Sequence, residues 1–182
     1  MRLFVGLPLP EDVRERLAGL CAGVPCARWV QPDMFHLTLR FIGEVDGGWF
    51  DDIDAALRTV APPAFELNLL GVGHWERKGK ATTLWAGVEK NAALVRLRDK
   101  VESALVRLGL EPEGRKYAPH VTLARLYDAT PGRVVHFLAD HGLFRTRPLP
   151  VESFALFSSF LSHGGAIYTP EAEYPLVLPH AA

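Results

Sequence analysis

The chain carries one short phrase twice: His-Leu-Thr-Leu at residues 36–39 and His-Val-Thr-Leu at residues 120–123. Each copy sits in a run of alternating polar and apolar residues, the pattern of a half-buried β-strand. Successive side chains of a strand point to opposite faces. His36 and Thr38 therefore share one face, while Phe35, Leu37, Leu39 and Phe41 share the other. His120 and Thr122 stand in the same way against Val121 and Leu123. A fold for this chain must supply two such strands, whose histidines lie 84 positions apart (120 − 36). With seven His and eight Thr in 182 residues, one His-x-Thr is unremarkable. Two, both in strand-like alternation, point to a shared site.

The elements around the two phrases also repeat. In the first half, residues 2–7 read as a strand. Residues 10–23 read as a helix opened by Pro10, with Val13, Leu17 and Leu20 on its apolar stripe. Residues 27–30 and 34–43 read as strands, 49–60 as a helix and 64–72 as a strand. In the second half, 82–88 is a strand and 91–110 a helix with Leu94, Leu97, Val101, Leu105 and Leu108 on one side. Residues 120–126 form the second motif strand. Thr130 and Pro131 read as a cap and first-turn proline opening a helix to His141. Residues 151–161, and 166–168 onward, are strands; 73–81 and 162–165 read as exposed loops. Both halves run strand, helix, His-x-Thr strand, helix, strand. This order predicts a single domain over residues 1–182 made of two similar lobes, approximately 1–75 and 80–182, with strands open to exchange between them. A pseudo-twofold axis relating the lobes would set the two phrases face to face across one cleft.

Composition narrows the partners. Hydrophobic content of 48% and charged content of 23% are those of an ordinary globular chain. A formal net charge of −1 argues against a broad electrostatic grip on duplex nucleic acid, while leaving room for a nucleotide or an RNA end. Cys21 and Cys26 have neither zinc-knuckle nor disulfide-framework spacing and read as partly buried thiols in a reducing compartment. The N-terminus lacks the features of a signal peptide, and no apolar stretch reaches membrane-spanning length. The expectation is a cytoplasmic protein with no membrane partner, monomeric in the absence of a heptad or long apolar stripe.

Two histidines facing one cleft suit general acid–base catalysis, because imidazole titrates near neutrality. One neutral ring takes a proton from water and the other, as imidazolium, gives one to a leaving oxygen. The threonine hydroxyls suit non-bridging phosphate oxygens, and a nearby cation offsets the charge that grows in a pentacovalent transition state. Arg125 is the foremost candidate, although a regular strand would place it on the opposite pleat, so a bulge or bend is required. Arg40 shares the pleat of His36 and Thr38, and Arg115 and Lys116 precede the second phrase. Tyr117, Trp75 and Tyr168 are candidates for stacking against a base. No acidic residue falls within either phrase, so no metal is expected. No Gly-x-Ser-x-Gly elbow and no phosphate-binding glycine loop appears, so neither a serine nucleophile nor ATP is expected.

The phrases HLTLRFIGEV (36–45) and YAPHVTLAR (117–125) resemble the two signature motifs of the two-histidine (2H) phosphoesterase superfamily. Within it the chain is similar to the RNA 2′,3′-cyclic phosphodiesterases, historically called 2′-5′ RNA ligases. The segments RLFVGLPLP, TTLWAGVEK and LFSSFLSHGGAIYTPEAEYPL extend the similarity over most of the chain. The resemblance implies an α+β, bilobal pseudo-twofold fold with two antiparallel sheets flanking a central cleft and helices outside. It also implies metal-independent, cofactor-free opening of a terminal 2′,3′-cyclic phosphate to a 2′-phosphate, with RNA ends or small cyclic nucleotides as substrates. His36, Thr38, His120 and Thr122 match the catalytic tetrad, and Arg125 matches the arginine closing the second motif. The phosphate is then held by Thr38, Thr122 and Arg125, with His36 as proton donor and His120 as proton acceptor; exchanging the two roles fits the sequence equally well. Other readings are a non-catalytic module for RNA ends or cyclic nucleotides, 2′-5′ ligation as the main role, and hydrolysis of another cyclic or 2′-5′-linked nucleotide.

Overall fold

The computed structural model describes residues 1–180, and within them places ten strands and four α-helices. The strands are β1 (Arg2–Pro8), β2 (Ala27–Trp29), β3 (His36–Glu44), β4 (Phe65–Leu67), β5 (Leu69–Arg77), β6 (Lys80–Val88), β7 (His120–Leu126), β8 (Leu149–Val151), β9 (Ser153–Ser162) and β10 (Gly165–Pro175). The helices are α1 (Glu11–Ala18), α2 (Gly47–Leu57), α3 (Ala92–Leu108) and α4 (Pro131–His141). A short 3₁₀ turn, Pro32–Met34, leads into β3.

Two four-stranded antiparallel sheets dominate this α+β fold, ordered β10-β9-β1-β3 and β2-β7-β6-β5, with β4 and β8 pairing separately. The sheets do not follow the halves of the chain. The C-terminal β9 and β10 complete the sheet begun by β1 and β3, and β2 and β5 flank the sheet built on β6 and β7. Alternation explains how each sheet is buried. Leu3, Val5 and Leu7 of β1 and Leu37 and Leu39 of β3 enter the main core, where Val101 and Leu105 of α3 and Ile53 and Leu57 of α2 meet them. Phe4 faces the other way, with Ala155 and Phe157. Helices thus cover the back of each sheet, and the faces that carry the histidines are left to form a cleft.

Helix boundaries follow local chemistry. Asp46 caps α2 by accepting from the Trp49 N–H, and Asn91 caps α3 by accepting from the Leu94 N–H. Gly109, at φ 112°, ends α3 in the left-handed region that favours glycine. Pro131 opens α4, but the Thr130 side chain makes no capping bond; its carbonyl accepts from Arg133 and Val134 instead.

Several boundaries differ from the sequence reading. α1 stops at Ala18, because Gly19 begins a series of tight turns through Ala22. The strand expected over 64–72 breaks at Asn68, whose side chain donates to the Thr146 carbonyl. Residues 73–81 are no loop: β5 runs to Arg77 and β6 starts at Lys80. Lys78 (φ 52°) and Gly79 (φ 75°) form the two-residue turn between them, both with the positive φ that a twisted hairpin requires. Cys21 is partly buried, but Cys26 is exposed. Among the described residues, no helix is long and apolar enough to cross a membrane.

Candidate active site

β3 and β7 approach each other, one from each sheet. Tyr117, just before β7, reaches across to donate its hydroxyl to the Thr38 carbonyl of β3 at 3.0 Å. The two histidines are close enough that positive charge on His120 disfavours protonation of His36. Arg125 of β7 bears in the same way on Tyr168 of β10, whose ring meets His36 edge-on at 4.8 Å. The two His-x-Thr strands therefore share one cleft.

Each histidine is pinned alike. His36 Nδ1 lies 2.8 Å from the Met34 carbonyl, and His120 Nδ1 lies 2.7 Å from the Ala118 carbonyl. A carbonyl oxygen only accepts, so Nδ1 is the donor in both rings and Nε2 is left free to take or give a proton. Burial lowers the pKa of His36 below 6.5; the bond to Met34 opposes this, and His120 adds to it. Burial also lowers His120; the bond to Ala118 opposes it, and the Arg125 guanidinium adds to it. In the free protein both rings thus lean toward the neutral form.

The bulge that Arg125 requires is present. Across β6 and β7 the register steps from Trp85 opposite Thr122 to Leu84 opposite Ala124, leaving Leu123 as the extra residue. Leu123 and Ala124 are both buried, and the alternation resumes one residue out of phase. Arg125 consequently joins His120 and Thr122 on the cleft face, where it donates to the Thr83 hydroxyl at 3.3 Å.

The same device in β3 overturns the expectation for Arg40. There Gly6 pairs with Thr38 and Val5 with Arg40, so Leu39 is the extra residue. Leu39 and Arg40 both turn to the back of the sheet. Arg40 is 8% exposed; it forms an ion pair with Glu102 of α3 and donates to the carbonyls of Phe41 and Glu111. Burial alone would raise the pKa of Glu102. Hydrogen bonds from the Glu113 N–H and from Arg40 outweigh it and hold the carboxyl below its ordinary value. Arg40 therefore fastens β3 to α3 and is withdrawn from the cleft.

The remaining candidates separate. Tyr168 lines the cleft beside His36. Tyr117 is packed against the core with the Arg98 guanidinium over its ring, so it braces Thr38 and leaves no face for a base. Arg115 is exposed on the loop before β7, its backbone N–H bonded to the Glu113 carboxylate. Trp75 lies 5.6 Å from His120, on a strand where the sequence reading expected a loop. Three further cleft residues escape the sequence reading. Phe4 lies 4.7 Å from His36 and stacks on Phe157 at 5.0 Å, and Trp85 lies 6.2 Å from His120. Trp85 lies flat over Gly73, where a Cβ would come within 2.2 Å of the indole. For Phe4 the signal was present: in RLFVGLP it alternates against Leu3, Val5 and Leu7. Among the described residues, no group of three or more His, Cys, Asp or Glu is placed to hold a metal.

A protein of Aeropyrum pernix named RNA 2′,3′-cyclic phosphodiesterase is 36% identical over 148 residues, covering 80% of this chain and 84% of its own. An Escherichia coli protein of the same name is 28% identical over 179 residues, covering 96% of each. The crystal structure of E. coli LigT complexed with 3′-AMP superposes with a TM-score of 0.79 at 28% identity, over 96% of this chain and 97% of that one. A crystal structure from Thermus thermophilus gives a TM-score of 0.82 at 27% identity, over 99% of this chain and all of its own. The family model described as LigT like Phosphoesterase matches residues 7–85 and 87–168. By that coverage the chain belongs to the LigT-like phosphoesterase family.

Proposed function

We propose that this protein opens a 2′,3′-cyclic phosphate at the end of an RNA, or on a nucleotide, to a 2′-phosphate. The observation that carries the reading is the pair of histidines in one cleft, each held through Nδ1 so that Nε2 is free. The curated relatives with the phosphodiesterase name support the choice of substrate.

In the proposed reaction, Thr38, Thr122 and Arg125 hold the non-bridging phosphate oxygens. His120 Nε2 takes a proton from water as its oxygen attacks phosphorus. The bond from phosphorus to O3′ breaks, and His36 Nε2 gives its proton to that oxygen. The product carries a 2′-phosphate and a 3′-hydroxyl, and proton exchange with solvent resets both rings. The assignment of roles rests on Arg125. Burial favours the neutral form of His120 that a base needs, against the bond to Ala118, and the charge of Arg125, which does not bear on His36, adds to it. The bound phosphate anion supplies the charge that favours a proton on His36. A 5′-hydroxyl in place of water would give a 2′-5′ linkage by the same attack. No step calls on a metal or other cofactor.

The test is product analysis after incubation with an oligoribonucleotide ending in a 2′,3′-cyclic phosphate, with EDTA present. A 2′-phosphate product supports the reading. A 3′-phosphate product, or an absolute need for a divalent metal, contradicts the mechanism. Binding without turnover contradicts the enzyme itself.

A further inference from the structure

The cleft face of β7 does not end at Arg125. The alternation set by the bulge carries His120, Thr122, Arg125 and then Tyr127 on one line, although Tyr127 lies just past the strand. Tyr127 is 57% exposed, and its backbone N–H is held by the Cys26 carbonyl at 3.1 Å. Arg28 stands directly opposite Arg125 on the edge strand β2 and is exposed. Its guanidinium lies over the Tyr127 ring, 5.4 Å from the centroid. Among the described residues, no carboxylate lies within ion-pair distance of Arg28, while the neighbouring Asp128 pairs with Lys80 at 3.3 Å. At the opposite end of β7 the partly buried Tyr117 packs against the core and is held by its bond to the Thr38 carbonyl. A strand anchored by its terminal phosphate at Arg125 meets, two residues on, an exposed cationic and aromatic pair at Arg28 and Tyr127.

We propose that Tyr127, with Arg28 beside it, is a subsite for the nucleobase next to the one bearing the cyclic phosphate. This rests on the reading of the cleft as an RNA-end phosphodiesterase. The ring lies two residues beyond Arg125, about 6.6 Å along a strand, which a neighbouring nucleotide reaches. An aromatic face accepts any base, and a guanidinium adds both stacking and charge, so the subsite favours RNA strands over mononucleotides without reading sequence.

The experiment compares two probes on the full chain: a fluorescent hexaribonucleotide ending in a 2′-phosphate, and 2′-AMP. Stacking of one base corresponds to roughly 5- to 150-fold in affinity. Tyr127→Ala is expected to weaken hexamer binding by about ten-fold and leave 2′-AMP within about two-fold. Arg28→Ala is expected to weaken the hexamer less, with a shallower salt dependence. Tyr127→Phe, which keeps the ring, should bind as the parent does. The proposal is overturned if Tyr127→Ala binds the hexamer as well as the parent, or if both probes weaken equally. It is overturned equally if the parent binds the hexamer no more tightly than 2′-AMP. Failure of the parent to hydrolyse any 2′,3′-cyclic phosphate would instead overturn the proposed function, and the binding comparison would still decide the subsite.

Discussion

Five residues after its histidine, β3 carries Phe41 and β7 carries Arg125, each beyond the same one-residue bulge. Opposite the threonines, Gly6 pairs with Thr38 and Trp85 with Thr122; two steps on, Phe4 pairs with Phe41 and Thr83 with Arg125. The backbone device is the same in both strands, but the surroundings are not. His36 sits among Phe4, Phe157 and Tyr168, in an apolar half whose fifth residue is 61% exposed phenylalanine. His120 sits between two tryptophans and a guanidinium. Two strands with the same bulge hold two imidazoles in unlike settings, and the residue five positions beyond each histidine differs between them. The cation stands beside one histidine and adds to the burial that favours its neutral form, the state a general base requires.

The comparison breaks first at the rings themselves. His36→Ala and His120→Ala should each lower kcat/KM for a 2′,3′-cyclic nucleotide by about 10²–10⁴-fold; near-normal turnover by either variant ends the two-histidine scheme. The next largest contrast is between the two fifth residues. Arg125→Ala should cost about 10²–10³-fold in kcat through lost transition-state charge stabilisation. Phe41→Ala, at the matching place, should stay within about two-fold as an exposed substitution. Equal losses in steady-state kinetics would mean the halves are not functionally distinct. The backs of the strands differ too, since only β3 turns an arginine inward. Glu102→Gln leaves Arg40 buried without its ion partner and should cost about 3 kcal/mol in urea unfolding. An unchanged midpoint would show that the Phe41 and Glu111 carbonyls suffice. Smallest is Tyr117→Phe, which removes the bond between the halves and should cost about 1 kcal/mol, seen as a lowered Tm with kcat/KM little changed.

These contrasts also mark what the sequence made legible. The motif strand at 120–126 has the boundaries its alternation predicts, because apolar residues on one face fix a strand locally. Arg40 and Arg125 were both misphased by regular alternation, since a bulge depends on the pairing strand and leaves no mark in either phrase. The hairpin at Lys78 and Gly79 was hidden because Gly71, Gly73, His74 and Glu76 interrupt the apolar pattern of β5. Phe4 and Phe157 meet through the pairing of the first strand with the ninth, a contact across the whole chain that no local pattern encodes.

The pH dependence of kcat/KM tests the inequality of the histidines most directly. The parent enzyme should give a bell whose acidic limb lies below the ordinary histidine value of 6.5, because burial and then Arg125 lower His120. Arg125→Ala removes a positive charge, raises His120 and should move that limb to higher pH. In the residual activity of His120→Ala the acidic limb should vanish, leaving a rate that falls as pH rises and His36 loses its proton. In His36→Ala the alkaline limb should vanish instead. The opposite pattern would exchange acid and base, and bells that persist in both variants would contradict the two-histidine account itself.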